Sequence, residues 1–574
     1  MHWLRCARVV GGRPLLTANP VPCPAAIAEG PPSSHRRDFL RGAAVLAASP
    51  VALTAKSTKP ISFSSTRQRA AFEVRQSAAL LQCGEPEASH ITNGDEGALP
   101  AYSGNFSKGL PHAQNGDVLP AAYQSLVAAL SAGNLSALEG IERGSGAKFI
   151  NPLAALAFQM EGADSHRHGM AAPPAFTSAE AAGEMVELYW QALARDIPFT
   201  AYSSSPVTQA AMTDLSRLSA FHGPKAGGLV TPTTLFRSNI SGVLAGPQIS
   251  QFFWQPIPMN STEVHQLYRA GAPGIDYLKT WDEWLVLQTG VPPFRPWTPD
   301  PQLKYIYNGR SLAEWVHFDF LYQAYHNAAL ILLNQSPDTA LNSNPYLNPA
   351  NPYKTTRVQT GFVTFGMAHI CCLLGKVCEA ALLAAWFQKW LVHRRTRPEE
   401  FGGKVQQMKT NAAKYPIHSE LMNSAALKAV FAATGNYLLP QAYPEGCPLH
   451  PAYPSGHATV AGACSVMLKA FFDETQNLTN CVVASSDGTF LNPFYDEALT
   501  VGGEINKLAF NVAMGRNFAG IHWRSDAEAG LRLGEDVAIA MLQDLVQTQA
   551  EDFSGFQFTR LDGTPVTISR GAYL

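Results

Sequence analysis

The sequence predicts a mainly α-helical protein with minor β hairpins. Apolar residues recur at helical spacing through long segments of the second half. The segment Gly366 to His393 is apolar almost all round, the pattern of a buried central helix. Strand-like patterns are scarce, and the clearest is a tail hairpin with Phe556 to Leu561, the turn Asp562-Gly563, then Thr564 to Ile568. With 574 residues, 46% of them apolar and 10% aromatic, the chain can bury a large core and cannot be mainly disordered.

In chain order, Ser34-His35-Arg36-Arg37-Asp38-Phe39-Leu40-Arg41 precedes the weakly apolar run Gly42 to Ala55. Twin arginines before Phe-Leu resemble a twin-arginine export signal, so residues 1–55 are expected to be a leader and the protein to be exported, periplasmic or extracellular. Residues 56–574 are expected to form a single large helical unit. Ser65 to Gln82 reads as an amphipathic helix with Arg67, Arg69 and Arg75 outside an Ala/Leu stripe, and residues 84–120 read as loop. Helical patterns follow at Ala121 to Ala132, Ser178 to Ala194 and Glu263 to Gly271. Between Gly223 and Gln302, Pro and Gly mixed with Trp and Phe predict ordered loops wrapped over a core. Leu312 to Leu333 is expected as one long helix, and Pro345, Pro349 and Pro352 break Asn342 to Tyr353 into a loop. A further helix is expected to start just after Pro454, since Val460, Cys464, Met467 and Phe471 keep helical spacing. Two more run through Ile505 to Met514 and Asp526 to Val546, with Ser525-x-x-Glu528 as a capping box.

Charge narrows the function classes. Lys+Arg 42 against Asp+Glu 44 gives a net charge of −2, which supplies no basic footprint for nucleic acid, so any anion site must be local. The longest apolar run, Ala380 to Phe387, is short and is followed by Lys389, His393, Arg394 and Arg395, so no membrane span is predicted. Of nine cysteines, Cys6 and Cys23 lie in the leader; Cys83, Cys371, Cys372, Cys378, Cys447, Cys464 and Cys481 form an odd set that cannot pair fully within one chain. No C-x-x-C occurs, which argues against zinc ribbons, thioredoxin-like sites and c-type haem.

Three segments place cations, small residues and histidines at element ends. The first is Lys389-Trp-Leu-Val-His-Arg-Arg-Thr-Arg397-Pro398. Pro398 disfavours helical geometry at Arg397, so Lys389 and Arg397 can converge from different directions. The second is His450-Pro-Ala-Tyr-Pro454-Ser455-Gly456-His457. Pro454 and Ser455 suit a helix start, Gly456 lets backbone approach a ligand, and first-turn N–H groups form an oxyanion site. The third is Gly515-Arg516-Asn-Phe-Ala-Gly-Ile-His522-Trp-Arg524-Ser525-Asp526, where Arg516 ends one helix and His522 precedes the next. Together they offer three cations, a hydroxyl, a backbone donor and imidazoles, a set suited to a tetrahedral oxyanion.

The order Lys-x7-Arg-Pro, Pro-Ser-Gly-His and Gly-Arg-x5-His resembles the vanadium-dependent haloperoxidases and the acid phosphatases that share their site. Direct matches cover about 389–398, 450–457 and 515–526, placing the oxyanion site within 386–526 and leaving the N-terminal half unassigned by motif. Seven residues between Lys389 and Arg397, where the phosphatases and chloroperoxidases usually have six, favour the algal-type bromoperoxidase branch, as does His450, five residues before Ser455. The resemblance implies a helical-bundle fold and a vanadate cofactor held by Lys389, Arg397, Ser455, Gly456, Arg516 and His522, with Trp386 lining the pocket. His522 would bind vanadium, His457 would be the acid–base partner, His450 would tune protonation and halide access, and Lys389 would polarise bound peroxide. An acidic partner should orient one histidine, and Asp319 is the candidate.

The implied reaction is oxidation of halide by hydrogen peroxide to hypohalous acid, which halogenates small organic molecules, with bromide and iodide as expected halides. The branch also implies a homo-oligomer. Calcium, a structural ion in some relatives, has no EF-hand loop here. Two alternatives stay open on the residues alone. One is a phosphomonoesterase in which His522 attacks phosphorus and His457 protonates the leaving group; the other is an oxyanion-binding protein without turnover.

Overall fold

Small residues decide how closely the central helices approach, and that closeness sets the site. The computed structural model describes residues 64–259, 261–334 and 344–570, so the expected leader lies outside the described residues. The principal helices are α1 (Thr66–Gly84), α2 (Pro120–Ala132), α3 (Ala179–Leu193), α4 (Gly309–Phe318), α5 (Gln323–Leu333), α6 (Met367–Phe387), α7 (Pro398–Lys409), α8 (Gly456–Phe471), α9 (Val501–Phe518) and α10 (Arg524–Thr548).

Helix α8 is the centre of the second half and packs against α10, α6 and α9, while α9 also packs against α4. Its apolar spacing buries Val460, Cys464, Met467 and Phe471. Helices α8 and α10 run side by side across a glycine seam. A Cβ on Gly462 would stand 1.9 Å from Leu531 O, and one on Gly534 2.0 Å from Thr459 O, so only glycine permits this approach. The seam brings the two helix starts together, and Ser455 N–H donates to Asp526 O at 2.9 Å.

Among the described residues the strands form three antiparallel hairpins, β1 (Ile257–Met259) with β2 (Thr262–Val264), β3 (Val482–Ala484) with β4 (Leu491–Pro493), and β5 (Gly555–Thr559) with β6 (Pro565–Ser569). The last is the predicted tail hairpin, in the register Phe556 to Ile568, with Gly563 at φ +87° in the turn.

Four expectations need correction. Glu263 to Gly271 is not helical; its first residues belong to β2, and Tyr268 pairs with Lys304 in an isolated bridge. The expected helix from Leu312 to Leu333 breaks into α4 and α5, with Asp319 extended at the end of α4 (φ −68°, ψ 150°). The periodic pattern continues across that break because both helices face one core, so sequence spacing does not reveal it. Helix α6 is not buried all round, because Met367, Cys372, Lys376 and Glu379 lie on an exposed side. It is long and apolar enough to cross a membrane by length and composition, yet its inner face packs against α8 and α10. Finally, α10 is capped through Asp526, whose Oδ2 accepts from Trp523 N–H at 3.1 Å, and not through Ser525 and Glu528. The seven described cysteines are all free, with Cys83 and Cys372 exposed.

The seam yields a direct prediction. Gly462→Ala should destabilise the protein by about 1–3 kcal/mol through overpacking against Leu531 O. Gly146→Ala, where nothing lies within 4 Å, should leave the melting temperature unchanged. Thermal unfolding of both variants checks this.

Candidate active site

Helix α6 does not end at Phe387 but widens into a π-helical turn, Gln388–His393. Such a turn re-aims side chains relative to the preceding helix. Arg394 then takes a left-handed conformation (φ 43°), and Arg397 becomes the residue before α7, extended as Pro398 requires. Lys389 and Arg397 therefore approach one space from two directions, both fully buried.

The Lys389 ammonium donates to the carbonyls of Pro451 and Ala452 at 2.9 Å each, and also to Pro454 O, tying the first segment to the second. Trp386 lies beneath it, 5.9 Å from Nζ to the ring centre. The same indole packs on His450 with ring centres 4.9 Å apart and sets the clearance at Gly456, where a Cβ would come within 3.2 Å of it. Arg397 reaches both other segments: Nε and Nη2 donate to His450 O at 2.9 and 2.8 Å, Nη2 contacts His450 Nδ1 at 3.0 Å, and Nη1 donates to Ile521 O at 2.9 Å. Arg516 enters from the end of α9, donates from Nη1 to Val316 O at 2.7 Å, and faces the Tyr443 ring at 5.6 Å. Its Nε is buried with no hydrogen-bond partner among the described residues.

Among the described residues, Lys389, Arg397 and Arg516 form no ion pair with a carboxylate; carbonyls, imidazoles and a ring are their partners. Buried unpaired cations are costly, and here burial and the Arg397 guanidinium push the Lys389 ammonium well below its ordinary range. An anion placed among them reverses that penalty. Ser455, at the start of α8, caps the helix with Oγ accepting from Ala458 N–H, and Gly456 opens the first turn. Its neighbouring free donors add to the same anion preference.

The histidines are held in defined states. His522 Nδ1–H donates to Asp526 Oδ2 at 2.9 Å, so Nε2 carries the lone pair, and Arg397 Nη1 stands 3.0 Å from it. Burial, then the Arg397, Lys389 and Arg516 cations, keep His522 well below the usual imidazole range, and burial and Arg397 do the same for His450. His457 Nε2 lies 3.0 Å from Asp319 Oδ1, which directs that N–H at the carboxylate and leaves Nδ1 as acceptor. Burial lowers its pKa, and Asp319 opposes the shift. The breakdown of the expected long helix is thus what frees Asp319 to reach His457.

The structure therefore brings together Trp386, Lys389, Arg397, His450, Ser455, Gly456, His457, Arg516 and His522, with Asp319 on His457. Asp526 was not foreseen as the partner of His522, although its i+4 position carried the signal. Also unforeseen was His317, bonded to Glu314 one turn before it at 3.0 Å, stacked on Tyr443 at 3.7 Å and bonded to Glu445 at 2.6 Å; the last two partners lie far from it in sequence.

Fold and site define a helical protein built around a buried polycationic pocket with fixed imidazoles. A family model described as the VCPO second helical-bundle domain matches residues 369–551. The chain is 34% identical over 526 residues to the vanadium-dependent bromoperoxidase of Ascophyllum nodosum, spanning 88% of this chain and 92% of that protein. It is 32% identical over 599 residues to the vanadium-dependent bromoperoxidase of Corallina officinalis, spanning 88% and 98%. The fold is similar to the homohexameric structure of a second vanadate-dependent bromoperoxidase from Ascophyllum nodosum, with a TM-score of 0.83, 30% identity, and coverage of 89% of this chain and 92% of that one. The chain belongs to the algal-type vanadium-dependent haloperoxidase family.

The π-helical turn carries a second prediction. Both ring nitrogens of His393 are buried without partners among the described residues, and burial holds its pKa at about 3. Because the folded pKa lies below the unfolded value, the unfolded chain binds the extra proton, so stability is full above about pH 6.5 and falls as the pH drops toward 3. Between pH 7 and 5 this costs about 2 kcal/mol. His393→Phe should lose about that much less over the same interval, measured by denaturant unfolding at the two pH values.

Proposed function

We propose that this chain is a vanadate-dependent haloperoxidase that oxidises bromide, and also iodide, with hydrogen peroxide to hypohalous acid, which halogenates small organic substrates. The observation that carries this reading is the set of three buried cations without carboxylate partners, facing a histidine whose Nε2 lone pair is fixed by Asp526. The donor set fits vanadate: Lys389, Arg397, Arg516, Ser455 Oγ and the Gly456 N–H would hold its oxygens, and His522 Nε2 would bind vanadium. When bound, vanadate supplies a Lewis acid that activates hydrogen peroxide toward halide without changing oxidation state.

The remaining work falls to the chain itself. His457, neutral because burial lowers its pKa, takes the proton of incoming peroxide at Nδ1 while Asp319 stabilises the resulting cation through Nε2. Lys389 orients negative charge at the oxyanion. His450, stacked on Trp386 and bonded to Arg397, tunes protonation and shapes the halide's approach. Residues 56–574 act as one helical unit assembled as a homo-oligomer, a reading supported by the similar Ascophyllum nodosum bromoperoxidase, which is homohexameric. Residues 1–55 serve as an export leader that takes the enzyme out of the cytoplasm.

The test is peroxide-dependent bromination of a dye by purified protein with and without added vanadate. Activity should require vanadate and fall as phosphate is raised. His522→Ala should abolish vanadate retention, whereas His457→Ala should retain vanadate and lose about 10²–10⁴-fold in kcat. Turnover of a phosphate monoester without bromination or iodination would contradict the proposal and favour the phosphomonoesterase.

A further inference from the structure

We propose that helix α3, in the half of the chain that no site motif reaches, completes the site through Arg395, which acts as the positioning residue for His522, the histidine that would bind vanadium. The inference rests on the vanadate reading above.

Arg395 is buried and lies two residues before Arg397, but its guanidinium points away from the polycationic pocket into a carboxylate pair. Nη1 donates to Asp526 Oδ1 at 2.8 Å, and Nη2 donates to Glu184 Oε2 of α3 at 3.0 Å. The other Asp526 oxygen, Oδ2, accepts from His522 Nδ1 at 2.9 Å and from Trp523 N–H at 3.1 Å. Glu184 closes the circuit, because its Oε1 accepts from Ser525 N–H at 2.6 Å in the first turn of α10. Arg395 is further fixed by Ser525 Oγ at 2.7 Å and by the Trp523 ring, 4.7 Å from its guanidinium carbon.

A carboxylate held at one oxygen can swivel about its side-chain torsions; held at both, it presents Oδ2 in one direction. Arg395 supplies that second hold, so the direction of the His522 ring is set from α3 through a continuous line of hydrogen bonds. Charge supports the same role. Asp526 lies beside cations that need an external anion, and pairing it with Arg395 keeps its charge from answering them instead. Helix α3 adds a second tie one turn later, where Glu187 Oε2 accepts from Arg524 Nε at 2.8 Å.

The consequence separates two anions that use the same cations. Vanadate gains a bond to His522 Nε2 and depends on the ring's direction; inorganic phosphate, held by charge and hydrogen bonds alone, does not. The experiment measures the dissociation constants of vanadate and of inorganic phosphate by equilibrium dialysis against vanadate-stripped full-length protein, with circular dichroism as a check of folding. In Arg395→Met, vanadate affinity should fall about 10–100-fold while phosphate affinity stays within about threefold. Arg395→Lys should recover part of the loss, and Glu184→Gln, which leaves Arg395 in place, should shift the vanadate-to-phosphate ratio in the same direction.

Equal losses for the two anions, or no loss for either, would overturn the proposal and make the network a purely structural one. If Arg395→Met does not fold, an unchanged ratio in Arg395→Lys and Glu184→Gln overturns it equally. Failure of the wild-type protein to bind vanadate would instead defeat the functional reading on which the inference rests.

Discussion

Three cations buried without anionic partners impose the constraint on which the rest of the site depends. Desolvating Lys389, Arg397 and Arg516 is unfavourable unless something negative enters among them, and the protein's own nearby carboxylates are committed elsewhere. Asp526 is occupied by Arg395 and His522, and Asp319 by His457. The pocket is thus left electrostatically incomplete, and an oxyanion of several charges is the species that completes it. Stability given up in the unliganded protein becomes affinity for the ligand.

The fold serves that constraint by bringing chain ends together. The glycine seam between α8 and α10 lets the starts of two helices lie side by side, which places Ser455 next to the residues that orient His522. The π-helical turn after α6 delivers Lys389, and the break between α4 and α5 delivers Asp319. Each delivery is a departure from regular helix, so the regular helices act as scaffold and their interruptions carry the chemistry.

Much of this was legible in the sequence. The three motif segments group Lys389, Arg397, His450, Ser455, Gly456, His457, Arg516 and His522, which the fold brings to one pocket with Trp386, and the candidate carboxylate Asp319 lies 3.0 Å from His457. Helix starts were readable where a cap or proline marked them, as at Ser65, Ser178 and Pro454. What was not legible lay in long-range partners and in breaks masked by periodicity. Leu312 to Leu333 keeps a helical pattern although Asp319 to Tyr322 turn out of the helix, because both halves face the same core. Glu263 to Gly271 carries apolar spacing but runs as a strand and extended loop. Glu184 sits on a helix whose residues Ala181 to Ala192 are all buried, and nothing local says that it meets Arg395, 211 residues away in sequence.

The most direct test of the account is X-ray absorption at the vanadium edge on vanadate-loaded protein, compared with the same spectrum from His522→Ala. The account predicts a nitrogen ligand beside the oxygens in the wild-type protein, absent in the variant. A spectrum of vanadate bound through oxygen alone, the same in both proteins, would contradict the assignment of His522 and with it the way the pocket is held to work.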